Sequence, residues 1–351
     1  MRIGKIKIGK KLIGEGSPCF IIAEAGVNHN GSLKLAKELI DVAKEAGADV
    51  VKFQTWITEE IITKTAPKAE YQNETTGKEE SQYEMLKKLE LSQKDFRALK
   101  RYADKKRIIF LSTPDEQKSA DFLFKLGVPA FKVGSGELTN LPYLAHIAKK
   151  KKPIILSTGM GDLAEVKLAV GTIKKAGNSN IILLHCTTSY PCPLKEVNLK
   201  AMLTLKKEFG LLVGYSDHTL GIVAPVMAVA LGAQVLEKHF TLDKDLPGPD
   251  HKASLGPDEL KEMIKAVRIA EKALGDGIKK PSRTEEKNKE VVRKSIVAKT
   301  DISKGVLITE KMLIMKRPST GIQPKYLNKV LGRKAKRNIK KDTLIRFEQI
   351  Q

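Results

Sequence analysis

The chain has 351 residues, 41% of them hydrophobic and 30% charged, and 63 Lys and Arg against 41 Asp and Glu give a formal net charge of +22. That balance supports a packed core, excludes a disordered chain, and leaves room for one large domain and one small one. Three cysteines, Cys19, Cys186 and Cys192, fit neither a disulfide framework nor a zinc site and suit a reducing, cytoplasmic setting.

Residues 1–14 contain no long apolar core and no small-residue cleavage site, so they read as no signal peptide. Eight apolar, β-branched runs follow: 20–26, 49–55, 108–114, 130–136, 153–159, 180–186, 211–217 and 234–240. Nearly continuous hydrophobicity of this kind marks strands buried on both faces. Between them, residues 32–48, 142–150, 162–177 and 258–275 carry apolar side chains at helical spacing, with Gly47, Gly127, Gly177 and Gly232 near the expected helix ends. Alternating strands and helices over residues 1–275 point to an α/β fold, a (β/α)8 barrel of the TIM type. An open doubly wound sheet is the alternative, but the first turn, Gly26-VNHNG, lacks GxGxxG spacing.

Residues 58–83 form a polar insertion after the second run, too long for a bare loop, and are expected to cap the active face. Residues 219–236 are uncharged, but Gly221, Pro225, Gly232 and Gln234 favour a buried helix leading into a buried strand over a membrane span. Residues 276–289 read as a linker and 290–351 as a small domain of short strands. Within it, Ala298-KTDISKGVLIT and Ala335-KRNIKKDTLIR repeat one strand–turn–strand unit, which predicts local twofold symmetry.

The positive charge lies in pairs at helix ends, such as Lys87-Lys88 and Lys105-Lys106, where it complements helix dipoles. A nucleic-acid- or carbohydrate-binding role for the basic tail is disfavoured, because Tyr326 and Phe347 are its only aromatic residues. A small anionic substrate would gain from the same field.

In such barrels the active site lies at the C-terminal strand ends. Polar residues gather there: Glu24; Lys52 and Gln54; Thr113; Lys132, Ser135 and Glu137; Ser157; Tyr190; Ser216 and His218; Glu237 and His239. Pairs two apart face the same side of a strand. An ammonium within a buried strand needs an anionic partner, so lysines with serines mark a small polyanion site. His218 and His239, about twenty residues apart, can meet only at neighbouring strand ends, where two imidazoles with oxygen donors suit a divalent metal acting as Lewis acid.

The segments Ile21-IAEAGVNHNGS, Val51-KFQT, Leu111-STP, Phe131-KVGSGE, Leu156-STGM, His185-CTTSYP, Tyr215-SDHT, Glu237-KHFT and Pro247-GPDH resemble those of the sialic acid synthase family. Lys316-RPSTGIQP resembles part of its C-terminal antifreeze-like (SAF) domain. The likeness runs over essentially the whole chain, in order. It implies condensation of phosphoenolpyruvate with an N-acyl hexosamine such as N-acetylmannosamine, in its open aldehyde form, to give N-acetylneuraminate and phosphate. Legionaminate or pseudaminate synthesis is the alternative. The resemblance also implies manganese or magnesium, a domain-swapped homodimer, and no nucleic-acid or membrane partner. Carried over by position, His218 and His239 bind the metal, Glu24 is a catalytic carboxylate, and Lys52, Lys132, Ser135, Ser157, Thr188 and Ser216 hold phosphoenolpyruvate. Thr188 departs from the asparagine of some relatives. Gln54, Thr113, Glu137, Tyr190 and Asp250 would line the sugar pocket, and Arg317 would reach the N-acyl group in a partner's barrel.

Overall fold

The computed structural model describes residues 4–351, which divide into two compact units between Gly275 and Asp276. In the first, eight parallel strands form one sheet: β3 (Phe20–Gly26), β4 (Val50–Thr55), β5 (Ile109–Pro114), β6 (Phe131–Val133), β7 (Ile154–Ser157), β8 (Ile181–Cys186), β9 (Leu212–Asp217) and β10 (Val235–His239). Their order is β5-β4-β3-β10-β9-β8-β7-β6, with the two terminal strands also side by side though not laddered, so the sheet curls into a barrel. This is the expected (β/α)8 architecture. Burial on both faces accounts for its uninterrupted apolar runs.

Ser32 caps the helix Leu33–Ala46 by accepting from the Leu35 N–H, and Gly47, at φ 88°, ends it in the left-handed conformation that glycine adopts without a Cβ clash. The uncharged stretch near residue 219 supplies the helix Val223–Ala230 and then β10. Among the described residues, no helix is long and apolar enough to cross a membrane.

A hairpin, β1 (Ile6–Ile8) and β2 (Lys11–Ile13), precedes the barrel. Ile6, Ile8 and Ile13 pack with Phe20, Ile22, Val50, Ile155, Ile182 and Val235, residues on the barrel strands at or near their N-terminal ends. The hairpin therefore stoppers the barrel end opposite the strand C-termini. The sequence reading gives this segment no element, although I-K-I-G-K-K-L-I alternates about a glycine as hairpins do.

The second unit begins with a correction. The helix Arg283–Val292 runs from the segment read as a linker into the segment read as the small domain, and is capped by Ser282 and Glu285 in a reciprocal pair. Its charge hides it, because no residue of it is buried. Beyond it lie β11 (Ser295–Ala298) and β12 (Leu313–Lys316), antiparallel. The repeat folds as twofold symmetry requires: Ile302 and Ile339, equivalent in the two copies, exchange N–H···O bonds of 2.8 Å each. The Gly305 N–H donates to the Ala335 carbonyl while the Asp342 N–H donates to the Ala298 carbonyl, the same bond read from the other copy, 2.8 Å in both cases. Ile302, Ile308, Ile339 and Ile345 fill its core.

Candidate active site

Parallel strands deliver their C-terminal side chains to one rim, and there the barrel buries a chain of alternating charges. Lys52 Nζ lies 2.8 Å from Glu24 Oε2 and 3.7 Å from Glu237 Oε2, and donates to Thr113 Oγ1 at 2.8 Å. Lys132 Nζ lies 3.4 Å from Glu237 Oε1, which also accepts from Ser216 Oγ at 3.0 Å. Gln54 Nε2 donates to Glu24 Oε1 at 3.4 Å. All four charged groups are at most 4% exposed, so each ion relies on its partners for the solvation it has lost. Burial works against the charge of Glu237, but Lys132 and Lys52 outweigh it and hold that carboxyl below its ordinary range. Glu24 goes the other way: burial, only partly offset by Lys52 and reinforced by Glu237, pushes it up to about 8. The two carboxyls are thus driven in opposite directions, Glu24 toward its protonated form and Glu237 toward its carboxylate.

The two histidines meet beside this chain, ring centres 5.6 Å apart. With metal–nitrogen bonds of about 2.1 Å and a ring radius of about 1.2 Å, imidazoles sharing one ion have centres up to roughly 6.5 Å apart, so the pair fits a common cation. His218 Nδ1 sits 2.7 Å from the Thr187 carbonyl, which can only accept, so the proton is on Nδ1 and Nε2 keeps its lone pair. His239 Nδ1 is buried without a hydrogen-bond partner, and Asp250 Oδ2 approaches it only to 3.9 Å. Burial lowers both imidazole pKa values, His239 the further, and neutral rings are the form that ligates metal. Among the described residues, no three or more His, Cys, Asp or Glu side chains group to hold an ion unaided; water or substrate oxygens would have to complete the shell.

On the far side of Lys132 the turns after β6, β7 and β8 form a cradle. The Gly159 N–H donates to Ser135 Oγ at 3.0 Å, and Ser135 Oγ lies 3.0 Å from Cys186 Sγ. A Cβ at Gly159 would come within 2.4 Å of Thr188 Oγ1 and 2.8 Å of both Cys186 Sγ and Ser135 Oγ. Ser157 Oγ is buried with no partner, as a group waiting for an anion would be.

These residues surround one cavity of about 180 Å³. It is lined by Glu24, Lys52, Gln54, Thr113, Lys132, Ser135, Ser157, Thr188, Tyr190, Ser216, His218 and His239, all singled out in the sequence. Glu137 and Asp250 are not on its wall: Glu137 is half-buried on the turn Ser135–Glu137, and Asp250 stands behind His239. Arg317 is exposed on the second unit, one residue past β12. The insertion folds into helices Thr58–Ile61, Glu70–Thr76 and Gln82–Leu89. Tyr71 from it stacks on Tyr190 at 5.2 Å, and Tyr190 packs on His218 at 4.1 Å between ring centres, so the insertion covers the histidines.

Sequence reasoning missed Asp115 and Cys186 on the cavity wall, and Gly159. Cys186 belongs to no cysteine motif in the sequence, and nothing in a single sequence marks a glycine whose importance is the room it leaves. It also missed the outer support of the histidines. Asp217 and Lys238 alternate with Ser216/His218 and Glu237/His239, so they point out of the barrel. They form a wholly buried ion pair of 2.5 Å. Asp217 also accepts from Tyr215 Oη and the Thr219 N–H, at 2.9 and 3.0 Å. This pair ties together the two strand ends that present the imidazoles.

A parallel barrel with an ion-lined rim cavity, followed by a small antiparallel unit, defines a barrel enzyme scaffold carrying an accessory domain. The chain belongs to the NeuB family, which matches residues 39–279, and the SAF domain matches residues 293–351. It is 51% identical over 347 residues to an N,N'-diacetyllegionaminic acid synthase of Legionella pneumophila, covering 98% of each chain. Against the N-acetylneuraminate-9-phosphate synthase of Homo sapiens the identity is 40% over 341 residues, covering 96% of this chain and 94% of the human one. The crystal structure of an N-acetylneuraminic acid (sialic acid) synthetase from Leptospira borgpetersenii superposes with a TM-score of 0.73 at 36% identity, covering 82% of this chain and 95% of that one.

Proposed function

We propose that this protein condenses phosphoenolpyruvate with the open-chain aldehyde of a hexose bearing two acetamido groups, adding water and releasing phosphate, to form N,N'-diacetyllegionaminic acid. The observation that carries the reaction class is the single cavity in which two buried lysines and a hydroxyl cradle adjoin two neutral imidazoles. The sugar rests on the relatives: 51% identity to a legionaminic acid synthase against 40% and 36% to the two N-acetylneuraminate enzymes. This moves the preference from the N-acetylmannosamine expected on the sequence to a diacetamido sugar, since a product with two N-acetyl groups inherits them from its six-carbon half.

In this reading Lys52, Lys132, Ser216 and the cradle of Ser135, Ser157 and Thr188 fix the carboxylate and phosphate of phosphoenolpyruvate, so that its C3 faces the aldehyde. His218 and His239 would hold a divalent metal, manganese or magnesium, which when bound supplies Lewis-acid polarisation of the aldehyde. Glu24, carrying a proton at neutral pH, donates it to the aldehyde oxygen as that oxygen becomes a hydroxyl. Sequence alone leaves its direction of proton transfer open; the raised pKa favours donation. Attack by C3 leaves a cationic C2, to which water adds, its proton returning to the Glu24 carboxylate; the tetrahedral centre then collapses to the 2-keto group, expelling by C–O cleavage the phosphate, which takes the hydroxyl proton. Gln54, Thr113, Tyr190, Glu137 and Asp250 serve the sugar. Arg317, exposed on the SAF unit, serves it from a second subunit in a domain-swapped dimer.

The test is product identification by mass spectrometry after incubating the protein with phosphoenolpyruvate, manganese and a panel of acylated hexosamines. The hexose bearing two acetamido groups is expected to give the highest kcat/KM. A preference for N-acetylmannosamine would return the assignment to N-acetylneuraminate.

A further inference from the structure

Asp115 lies one residue past β5 and lines the cavity. Its backbone is pinned on both sides: its own N–H donates to the Thr55 carbonyl at 3.1 Å, and Tyr143 Oη donates to the carbonyl of Pro114. Its neighbour Glu116 is occupied, capping the helix Gln117–Leu126 by accepting from the N–H groups of Lys118 and Ser119. The Asp115 carboxylate has no hydrogen-bond or ion-pair partner among the described residues.

A free carboxylate here is costly for an anion-binding cavity. Lys52 and Lys132 already have Glu24 and Glu237 within 3.4 Å, whereas Asp115 feels the two lysines only from beyond ion-pair distance, so its carboxylate opposes phosphoenolpyruvate unless it has a use elsewhere in the reaction. Its place supplies one. Asp115 follows Thr113 on the rim, and Glu137 rises from the turn after β6; burial, reinforced by Glu137 and only partly offset by Lys52 and Lys132, pushes Asp115 up to about 7. These two carboxylates flank the seam where β5 and β6 lie side by side without a ladder. One part of the cavity is thus cationic and built for an anion, while at this seam Asp115 presents an acceptor to it, with Glu137 nearby but off the wall. The other substrate is a neutral chain of O–H and amide N–H donors, and acceptors without donors of their own are what such a chain requires.

Resting on the proposed reaction, we infer that Asp115 is a specificity-determining sugar contact, accepting a hydrogen bond from a hydroxyl or acetamido N–H of the acylated hexose. A charge-assisted bond of this kind separates a substrate that makes it from one that does not, because the carboxylate otherwise stays desolvated and unpaired.

The test is steady-state kinetics on full-length Asp115→Asn and Asp115→Ala, varying each substrate in turn against wild type. The expected result is a kcat/KM for the preferred sugar lower by about tenfold or more in the alanine variant, with a smaller loss in the asparagine variant, which keeps a carbonyl acceptor. The KM for phosphoenolpyruvate stays within about twofold, as a bond to the neutral substrate alone requires. Unchanged sugar kcat/KM in both variants overturns the inference, as does a change confined to phosphoenolpyruvate. The half-buried position and pinned backbone make both variants foldable, and thermal melting checks each. Wild-type turnover in the same experiment tests the proposed reaction separately: if wild type makes no nine-carbon acid from any sugar, the reaction is at fault and not the residue.

Discussion

Replacing Gly159 by alanine perturbs the anion cradle and little else. The residue is not held in a left-handed conformation, so the backbone tolerates a side chain. The new methyl would sit 2.4 Å from Thr188 Oγ1 and 2.8 Å from Ser135 Oγ and Cys186 Sγ. Ordinary contacts need about 3.4 Å or more, so these groups must retreat by roughly 0.6–1 Å. That displacement takes Ser135 and Thr188 out of hydrogen-bond reach of a phosphate held between them. Losing one charge-assisted bond costs about 1.5–3 kcal/mol, a rise in dissociation constant of roughly 10- to 150-fold. Overpacking costs about 1–3 kcal/mol of stability, which thermal melting reports separately. Isothermal titration with phosphoenolpyruvate is the assay. Gly171→Ala is the control, since it lies in the helix Leu163–Lys175 with nothing within 4 Å of its added carbon. A folded Gly159→Ala that binds phosphoenolpyruvate within about twofold of wild type would refute the cradle, because one lost bond alone exceeds that margin.

Two further outcomes follow from buried charge. With Glu24 pushed up to about 8, the proposed proton donation predicts that kcat holds across neutral pH and falls as pH rises through about 8. Glu24→Gln should lose about 10²-fold or more in kcat while still binding phosphoenolpyruvate, and a pH profile flat to pH 10 would argue against proton donation by Glu24. Lys238→Met strands the Asp217 carboxylate in the protein interior and should cost about 3–5 kcal/mol in chemical denaturation, whereas Asp217→Asn combined with Lys238→Met should recover much of that loss; equal losses in the single and double variants would show that the pair is not an energetic unit.

The barrel was legible because strands buried on two faces leave unbroken β-branched runs, and each of the eight is a strand. The rim was legible for a related reason. Lysine, glutamate and histidine are conspicuous at the ends of such runs, and alternation puts Lys52 with Gln54 and Ser216 with His218 on the same side. What stayed hidden depends on three dimensions. Asp217 and Lys238 face outward between the site residues, and only the fold shows that no solvent reaches them. Asp115 lies just past its strand, in what reads as a loop. The plug formed by Ile6, Ile8 and Ile13 is too short to signal a core element, and the helix Arg283–Val292 buries nothing that would give it an apolar stripe.

The account stands on one cavity joining a phosphorylated enol acid to a sugar aldehyde through its carbon. The most direct measurement uses phosphoenolpyruvate labelled with ¹⁸O at the bridging oxygen, incubated with the protein, manganese and the diacetamido hexose. Label appearing in inorganic phosphate, with one nine-carbon acid formed per phosphate, is the predicted result. Label retained in the organic product, or phosphate released at the same rate without sugar, would contradict it.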